Sequence, residues 1–134
     1  MADRDALPAA PSAAPSVVPS ALSDAHAHLR APDGARLAEA TEVFALLSDA
    51  TRLHVLWLLA QEESDVGSLA ERIGTSSRTA VSQHLAKLRL AGLVEARREG
   101  RHMYYSLRDG HLRRLVMEAL SHADHRVSGQ ASHD

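Results

Sequence analysis

The segment between Asp65 and Gly92 constrains the fold more than any other part of this chain. Apolar residues recur at helical spacing on both sides of Gly74, in a short run that ends at Ile73 and in a longer run that ends at Ala91. Asp65 suits the N-cap of the first run, and Gly92 stands where a glycine commonly ends a helix. The sequence therefore predicts two short helices joined by a turn, which is the pattern of a helix-turn-helix.

The second of these helices has an apolar side and a polar side. If Val81 marks the centre of the buried side, Leu85 and Leu88 share that side, whereas Gln83 and Lys87 point away from it. Gln and Lys side chains can hydrogen-bond base edges in the major groove of DNA, although an ordinary solvated face would have the same pattern. The candidate DNA contacts in this part of the chain are Ser77, Arg78, Thr79, Ser82, Gln83 and Lys87.

Two extended runs follow, Leu93–Arg98 and His102–Leu107, joined by a glycine-containing connection. The second run alternates apolar and polar residues, so the pair predicts a β-hairpin. A hairpin directly after a helix-turn-helix is a wing. Its arginines are candidate contacts to phosphate or to the neighbouring minor groove: Arg97, Arg98 and Arg101.

Charge is distributed unevenly along the chain. Residues 1–71 carry 4 Arg against 11 Asp and Glu, residues 72–108 carry 8 Lys and Arg against 2 Glu, and residues 109–134 carry 3 Arg against 4 Asp and Glu. Only the middle part, which holds the predicted helix-turn-helix and hairpin, is basic, at +6 (8 minus 2). Because aromatic residues make up only 3% of the chain, this charge favours phosphate contact over base stacking. A solvated basic face is the simpler alternative.

Three further helices and two tails complete the predicted organisation. All five prolines fall among Ala and Ser near the start of the chain, so residues 1–34 are expected to be disordered. The short tail at the other end comprises residues 126–134. Between the tails we expect one domain, residues 35–125, that is mainly α with a small β-hairpin (α+β). Apolar spacing predicts its other helices at Ala35–Leu47, Thr51–Gln61 and Gly110–Ala123.

Four potential metal ligands lie near the C-terminus: Asp109, His111, His122 and His125. On one helix, His122 lies about 20° and His125 about 40° around the axis from His111, but His122 is about 16.5 Å further along it. An ion with ligand bonds of about 2 Å cannot join the two pairs within one chain. Each pair would be completed by the opposite pair of a second, antiparallel helix, so the pattern predicts a dimer as well as a metal ion.

The donor atoms restrict which metal such a site would take. The chain has no Cys, so thiolate sites are excluded and the ligands are nitrogen and oxygen. Three imidazoles and one carboxylate suit Zn(II), and also Ni(II) or Co(II) if further donors complete an octahedron. Glu118 lies on the same side of the helix and could orient an imidazole. The candidate extra donors are His26, His28 and His133.

Each of these residues also has a simpler interpretation. Asp109 directly precedes a helix and suits its N-cap. The chain has nine histidines, so one H-x-x-H pair arises easily by chance. His26 and His28 are more commonly surface residues, and His54 is interpreted as a core or boundary residue because its helix is expected to be buried.

Taken together, these motifs resemble the ArsR/SmtB family of bacterial metalloregulatory repressors. The resemblance covers roughly residues 37–125 and rests on VSQHLAKLRLAGLV from Val81, on GRHMYYSL from Gly100, and on DGH and HADH. The turn between Gly74 and Val81 is one residue longer than is usual in the family, and the cysteine motif of some members is absent.

The resemblance implies a winged helix-turn-helix homodimer that pairs through its first and last helices. It also implies that Asp109 and His111 of one subunit join His122 and His125 of the other in a zinc or nickel/cobalt site. Proteins of this family repress metal-handling genes from double-stranded operator DNA and release the DNA when they bind their ion. The resemblance therefore implies a metal-responsive repressor.

Two other functions are compatible with the same residues. A winged-helix regulator with incidental histidines would respond to a non-metal signal, and a small zinc hydrolase would leave one metal position open for water. We expect no enzyme and no small-molecule substrate, because the sequence indicates neither a pocket nor a distinct catalytic base. The N-terminal segment lacks the order of a signal peptide and no apolar run reaches about 18 residues, so we expect a cytoplasmic protein without membrane association.

Overall fold

The computed structural model of the chain describes the backbone of residues 31–133 and the side chains of residues 31–129. The tail predicted at residues 1–34 lies outside the described residues except for its last part. The chain divides into two compact units after Leu37. In the described part of the first unit, Asp33 accepts a hydrogen bond from the backbone N–H of Arg36 (2.9 Å) and forms an ion pair with its guanidinium.

The described residues form five helices and three strands. In chain order they are α1 (Gly34–Leu47), α2 (Ala50–Gln61), β1 (Ser64–Asp65), α3 (Val66–Ile73), α4 (Arg78–Leu90), β2 (Val94–Glu99), β3 (His102–Leu107) and α5 (Gly110–His133).

The predicted hairpin is confirmed, and it belongs to a three-stranded antiparallel sheet. The strand order is β1-β3-β2, with Val94 opposite Leu107 at the base of the hairpin and Glu99 opposite His102 at its tip. Strand β1, which was not predicted, is only two residues long and pairs Ser64 with Tyr105. The base of the wing is therefore bonded to the segment that connects α2 to α3.

The helix-turn-helix is also confirmed, together with its predicted end signals. Asp65 caps α3, and Gly74 ends it in a left-handed conformation with φ +80°. Ser77 caps α4, which starts at Arg78, and Gly92 follows the end of α4 with φ +81°. At both glycines the positive φ favours a residue without a Cβ, which is why the two stops could be identified from sequence.

One core joins α2, α3, α4, the hairpin and the first half of α5. As predicted, α2 is buried on most of its circumference, but His54 is exposed, so its prediction as a core or boundary residue was wrong. His54 lies on the narrow side of α2 that faces solvent. The fully buried large side chains are Val55, Leu56, Leu59, Leu69, Val81, Leu85, Leu88, Val94 and Val116.

Helices α1 and α5 are less completely covered than this core. In α1 only Leu47 is buried, while Phe44 keeps 59% of its surface exposed. Helix α5 continues past the predicted end at Ala123 to His133, and Val127 in this extension is exposed. Both helices therefore present apolar side chains that the described residues do not cover.

Among the described residues, no single helix is long and apolar enough to cross a membrane. The consecutive helices α1 and α2, which meet at 97°, pass that test only as a bent pair and only by length and composition.

Candidate functional site

The recognition helix, α4, presents its polar side to solvent. Val81, Leu85 and Leu88 are buried beneath it, and Ser77 accepts a hydrogen bond from the backbone N–H of Ala80 (3.0 Å). Its exposed side is therefore available for contact with another molecule, and Ser77 also has a capping role. All six predicted DNA contacts of this region are exposed: Ser77, Arg78, Thr79, Ser82, Gln83 and Lys87.

The start of α3, the start of α4 and the tip of the hairpin line one groove. The Arg78 guanidinium lies against Gly67, where an added Cβ would be 3.2 Å from Arg78 Nη1. Arg101 and His102 line the same groove, and His102 Nδ1 lies 3.5 Å from Asp65 Oδ2. This arrangement places two arginines from separate elements on one surface, as contact with a phosphate backbone requires.

Two carboxylates cap neighbouring helices, Asp65 at the start of α3 and Asp49 at the start of α2. The backbone N–H of Ser68 donates to Asp65 (2.8 Å), and this bond, with smaller contributions from His102 and Arg78, lowers the pKa of Asp65. The backbone N–H of Arg52 donates to Asp49 (2.9 Å) and is the main cause of its lowered pKa. Both groups therefore stabilise the fold most strongly when they are ionised.

His84 connects the recognition helix to α2. Its Nε2 atom lies 3.9 Å from the Asp49 carboxylate, and about three quarters of the His84 side chain is buried, with 24% exposed. Because Asp49 caps α2, this contact brings α4 next to the first turn of α2.

The three arginines of the wing do not have the same surroundings. Arg97 pairs with Glu63 (2.5 Å) and with Glu99 (3.2 Å), and these two carboxylates, Glu63 first, raise its pKa. Arg98 and Arg101 are exposed and form no ion pair with the side chains described between residues 31 and 129. The latter two are therefore the wing arginines whose charge is available to a partner.

The four predicted metal ligands lie on α5 or directly before it, and all four are exposed. Asp109 caps α5, since its Oδ1 accepts a hydrogen bond from the backbone N–H of Leu112 (2.9 Å). Within residues 31–129, no three His, Asp or Glu side chains converge as a metal site would require. This result agrees with the distance along the helix that separates His111 from His122. The predicted donors His26 and His28 lie outside the described residues, and only the backbone of His133 is described.

An apolar groove between α1 and α5 opens directly beside the first pair of predicted ligands. Val43 and Phe44 line one wall, Leu112 and Leu115 line the other, and the groove also includes Asp109 and His111. An exposed apolar groove of this kind on a small domain is a typical site of association with another protein. We name it the α1/α5 groove.

Helix α5 is bonded to the C-terminal end of α2. The Arg113 guanidinium donates to the carbonyl oxygen of Ala60 (3.1 Å), and the Gln61 amide lies 3.6 Å from the Met117 sulfur. Sequence reasoning did not identify these contacts, and it also missed Glu63 as a partner of Arg97. No local signal marks them, because each joins residues that are distant in sequence.

A capped helix-turn-helix with an exposed polar recognition helix and an arginine-bearing hairpin defines the class of winged helix-turn-helix DNA-binding proteins. Comparisons with known proteins agree with this assignment. Residues 49–96 match the family model described as bacterial regulatory protein, arsR family.

Relatives from Mycobacterium tuberculosis and Staphylococcus aureus extend the match beyond the helix-turn-helix. The chain is 49% identical over 92 residues to the HTH-type transcriptional regulator KmtR of Mycobacterium tuberculosis, covering 69% of this chain and 70% of KmtR. It is 40% identical over 85 residues to a homologue of the cadmium resistance regulatory protein CadC from Staphylococcus aureus, covering 63% and 69% respectively.

A solved structure gives the same result for the fold. The homodimeric winged helix-turn-helix DNA-binding domain of Mb0332 from Mycobacterium bovis superposes with a TM-score of 0.64 and 34% identity, covering 75% of this chain and 94% of that domain. The chain therefore belongs to the ArsR family of bacterial regulatory proteins. The family and the fold are those of transcriptional regulators and not of enzymes.

Proposed function

We propose that this protein is a metal-responsive transcriptional repressor that binds operator DNA as a dimer and releases it when a transition metal bridges the C-terminal helices. The observation that carries the proposal is the placement of the ligand pairs. Asp109 and His111 lie beside the open α1/α5 groove, whereas His122 and His125 are exposed further along α5. A second chain seated on the groove would supply to each pair the donors that one chain lacks.

The donor set fits a nitrogen- and oxygen-binding metal. Three imidazoles and a carboxylate suit Zn(II), or Ni(II) and Co(II) with further donors from His26, His28 or His133. Asp109 can cap α5 through Oδ1 and still offer its second carboxylate oxygen. Cadmium, which the name of the Staphylococcus aureus relative mentions, favours thiolate ligands, and this chain has no Cys.

A bound ion would cross-link the two α5 helices and so fix the relative position of the subunits. DNA binding by two recognition helices requires that they lie one helical turn apart, about 34–36 Å. A dimer held in another geometry would keep its α4 surfaces but lose simultaneous contact with both half-sites. By linkage, bound DNA must weaken metal binding by the same factor.

The DNA-contacting surface that we propose combines α4, the groove at its start and the tip of the wing. In this proposal α4 enters the major groove, where Gln and Lys can bind base edges, and the arginines contact phosphates. Because operator DNA lies in the bacterial cytoplasm, the proposal also places the protein there. The proposed contacts are Ser77, Arg78, Thr79, Ser82, Gln83, Lys87, Arg98 and Arg101, whereas Arg97 is already paired with Glu63 and Glu99.

The effect of added metal on DNA binding tests the proposal. The full chain first selects a duplex from a random-sequence library. Wild type, His122→Ala and His54→Ala are then each titrated against this duplex at buffered concentrations of free zinc, nickel or cobalt. We expect His122→Ala to bind the duplex normally but to ignore the metal, while His54→Ala, which removes an exposed histidine of α2, behaves as wild type. If His122→Ala still releases DNA normally, the site assignment is wrong.

Equilibrium dialysis distinguishes a metal sensor from a winged-helix regulator that responds to a non-metal signal. Binding of about one ion per chain is expected for a site shared twice across a two-fold dimer. If the chain binds no zinc, nickel or cobalt, it is a winged-helix regulator that responds to another signal.

A further inference from the structure

Arg97 crosses the three-stranded sheet on one face. It lies on β2 directly opposite Tyr104 on β3, and its guanidinium carbon is 5.3 Å from the centre of the Tyr104 ring. On the far side of β3 is β1, which Glu63 immediately precedes, and Arg97 Nη2 reaches Glu63 Oε1. A single side chain therefore connects the wing to the segment between α2 and α3.

We propose that Arg97 and Glu63 form a strap that positions the wing for DNA, and that Arg97 is not itself a phosphate contact. This inference rests on the proposed function, because it assigns roles within the same DNA interface. The strap is defined by these two residues, with Tyr104 lying beneath the guanidinium and Glu99 as a second carboxylate partner.

The wing needs such an attachment because the sheet holds only its base. Strand β1 pairs with two residues of β3, Tyr104 and Tyr105, whereas β2 and β3 continue to Glu99 and His102 without a third strand beside them. A two-stranded hairpin alone is only marginally stable in water. The strap fastens β2, the outer strand, at the point where the third strand ends.

Alternation along β2 separates Arg97 from Arg98, the wing arginine proposed as a phosphate contact. Because successive side chains of a strand point to opposite faces, Arg97 shares a face with Glu95 and Glu99, and Arg98 points to the other face. The guanidinium of Arg97 donates to two carboxylates and lies on a ring. To bind a phosphate it would have to leave Glu63 and Glu99 unpaired beside a polyanion, which costs electrostatic energy.

Because Glu63 is negatively charged, its replacement should change DNA affinity in opposite directions with and without the strap. Glu63→Gln removes a negative charge from a DNA-binding protein, so by long-range electrostatics alone it should tighten binding. The strap predicts the opposite, because the wing loses its attachment. Glu95→Gln is the matched control, since Glu95 is exposed, lies on the same face of β2 and has only a 4.0 Å contact, with Arg108.

The experiment measures affinity and salt dependence with the full chain and a library-selected duplex. We expect Glu63→Gln to bind about two- to five-fold more weakly, on the scale of an exposed ion pair, and Glu95→Gln to bind no more weakly than wild type. Arg98→Gln should reduce the slope of log affinity against log salt by about 0.9, because it removes one phosphate contact. Arg97→Gln should weaken DNA binding but leave the salt slope unchanged. The double variant with Arg97→Gln and Glu63→Gln should bind DNA no more weakly than Arg97→Gln alone.

Two DNA-binding results would overturn the strap. One is a Glu63→Gln variant that binds as tightly as wild type or more tightly; the other is an Arg97→Gln variant whose salt slope falls as in Arg98→Gln. Amide hydrogen exchange over residues 94–107 gives a readout without DNA, with faster exchange expected in Glu63→Gln but not in Glu95→Gln. If the wild type selects no duplex, the proposed function fails, while unchanged exchange would reject the strap itself.

Discussion

Arg114 donates a hydrogen bond to Nδ1 of His111 across 2.9 Å, within the first turns of α5. A guanidinium can only donate, so Nδ1 must offer its lone pair and the proton of a neutral ring lies on Nε2. Coordination through Nδ1 would use the same lone pair, and coordination through Nε2 would move the proton to Nδ1. Metal binding by His111 is therefore incompatible with the Arg114 contact at either nitrogen.

Replacement of Arg114 by Ala should strengthen metal binding by about two- to five-fold, because the ion would no longer compete with a hydrogen bond of ordinary net strength. Competition with a chromophoric zinc chelator measures the change. Arg126→Ala is the control for charge, since it removes a cation near His125 that makes no contact with His111. Equal gains in both variants would show that charge, and not the hydrogen bond, is responsible.

The α1/α5 groove predicts that Phe44 stabilises a dimer. Phe44 is 59% exposed in one chain, and burial of such a side chain in each half of a two-fold interface contributes twice. Phe44→Ala should weaken dimerisation by at least about tenfold, as measured by sedimentation equilibrium at micromolar concentrations. Leu90→Ala removes a still more exposed side chain, at 91%, that does not line the groove, and should leave the equilibrium unchanged. A dimer equally weakened by both changes would contradict this assignment.

Asp65 should make folding stability depend on acid pH. Its pKa is lowered in the folded chain, chiefly by the Ser68 backbone N–H, so its contribution is complete above the unfolded value of 3.8 and is lost as pH falls through the lower folded value. Asp65→Ala should cost about 1 kcal/mol at neutral pH, and less as the carboxyl group protonates below pH 3.8. Urea unfolding at pH 7 and pH 3 measures both effects. Asp65→Asn keeps a capping oxygen and should lose less at pH 7 than Asp65→Ala.

The helix-turn-helix was predictable because its signals are local. Asp65 and Gly74 delimit α3 by capping chemistry, and each acts within a few residues of its own position. The wing followed from alternation and a glycine at the turn. Helix α5 was predicted too short, because its apolar spacing indicated an end at Ala123, whereas the helix continues to His133.

The contacts between distant elements could not be predicted in the same way. Glu63 meets Arg97 only because β1 joins the sheet, and two residues are too few for a strand pattern. The complete metal site could not be predicted either, because it also depends on contacts beyond the local sequence. The spacing of His111 and His122 shows that one chain cannot complete the site, but the geometry of the complete site depends on a second chain.

Arg113 should carry part of the coupling between metal and DNA. It lies two residues after His111, and its guanidinium bonds to the Ala60 carbonyl at the end of α2, three residues before Glu63. A shift of α5 caused by metal can therefore reach the wing through the end of α2.

Arg113→Met should leave metal affinity and DNA affinity near wild type when each is measured alone, but reduce the factor by which each weakens the other by at least about twofold. Because coupling is reciprocal, metal titrations with and without duplex must give the same factor as duplex titrations with and without metal. Arg126→Met, further along α5, should retain the wild-type factor. If Arg113→Met retains it as well, the coupling runs through the subunit interface and not through α2.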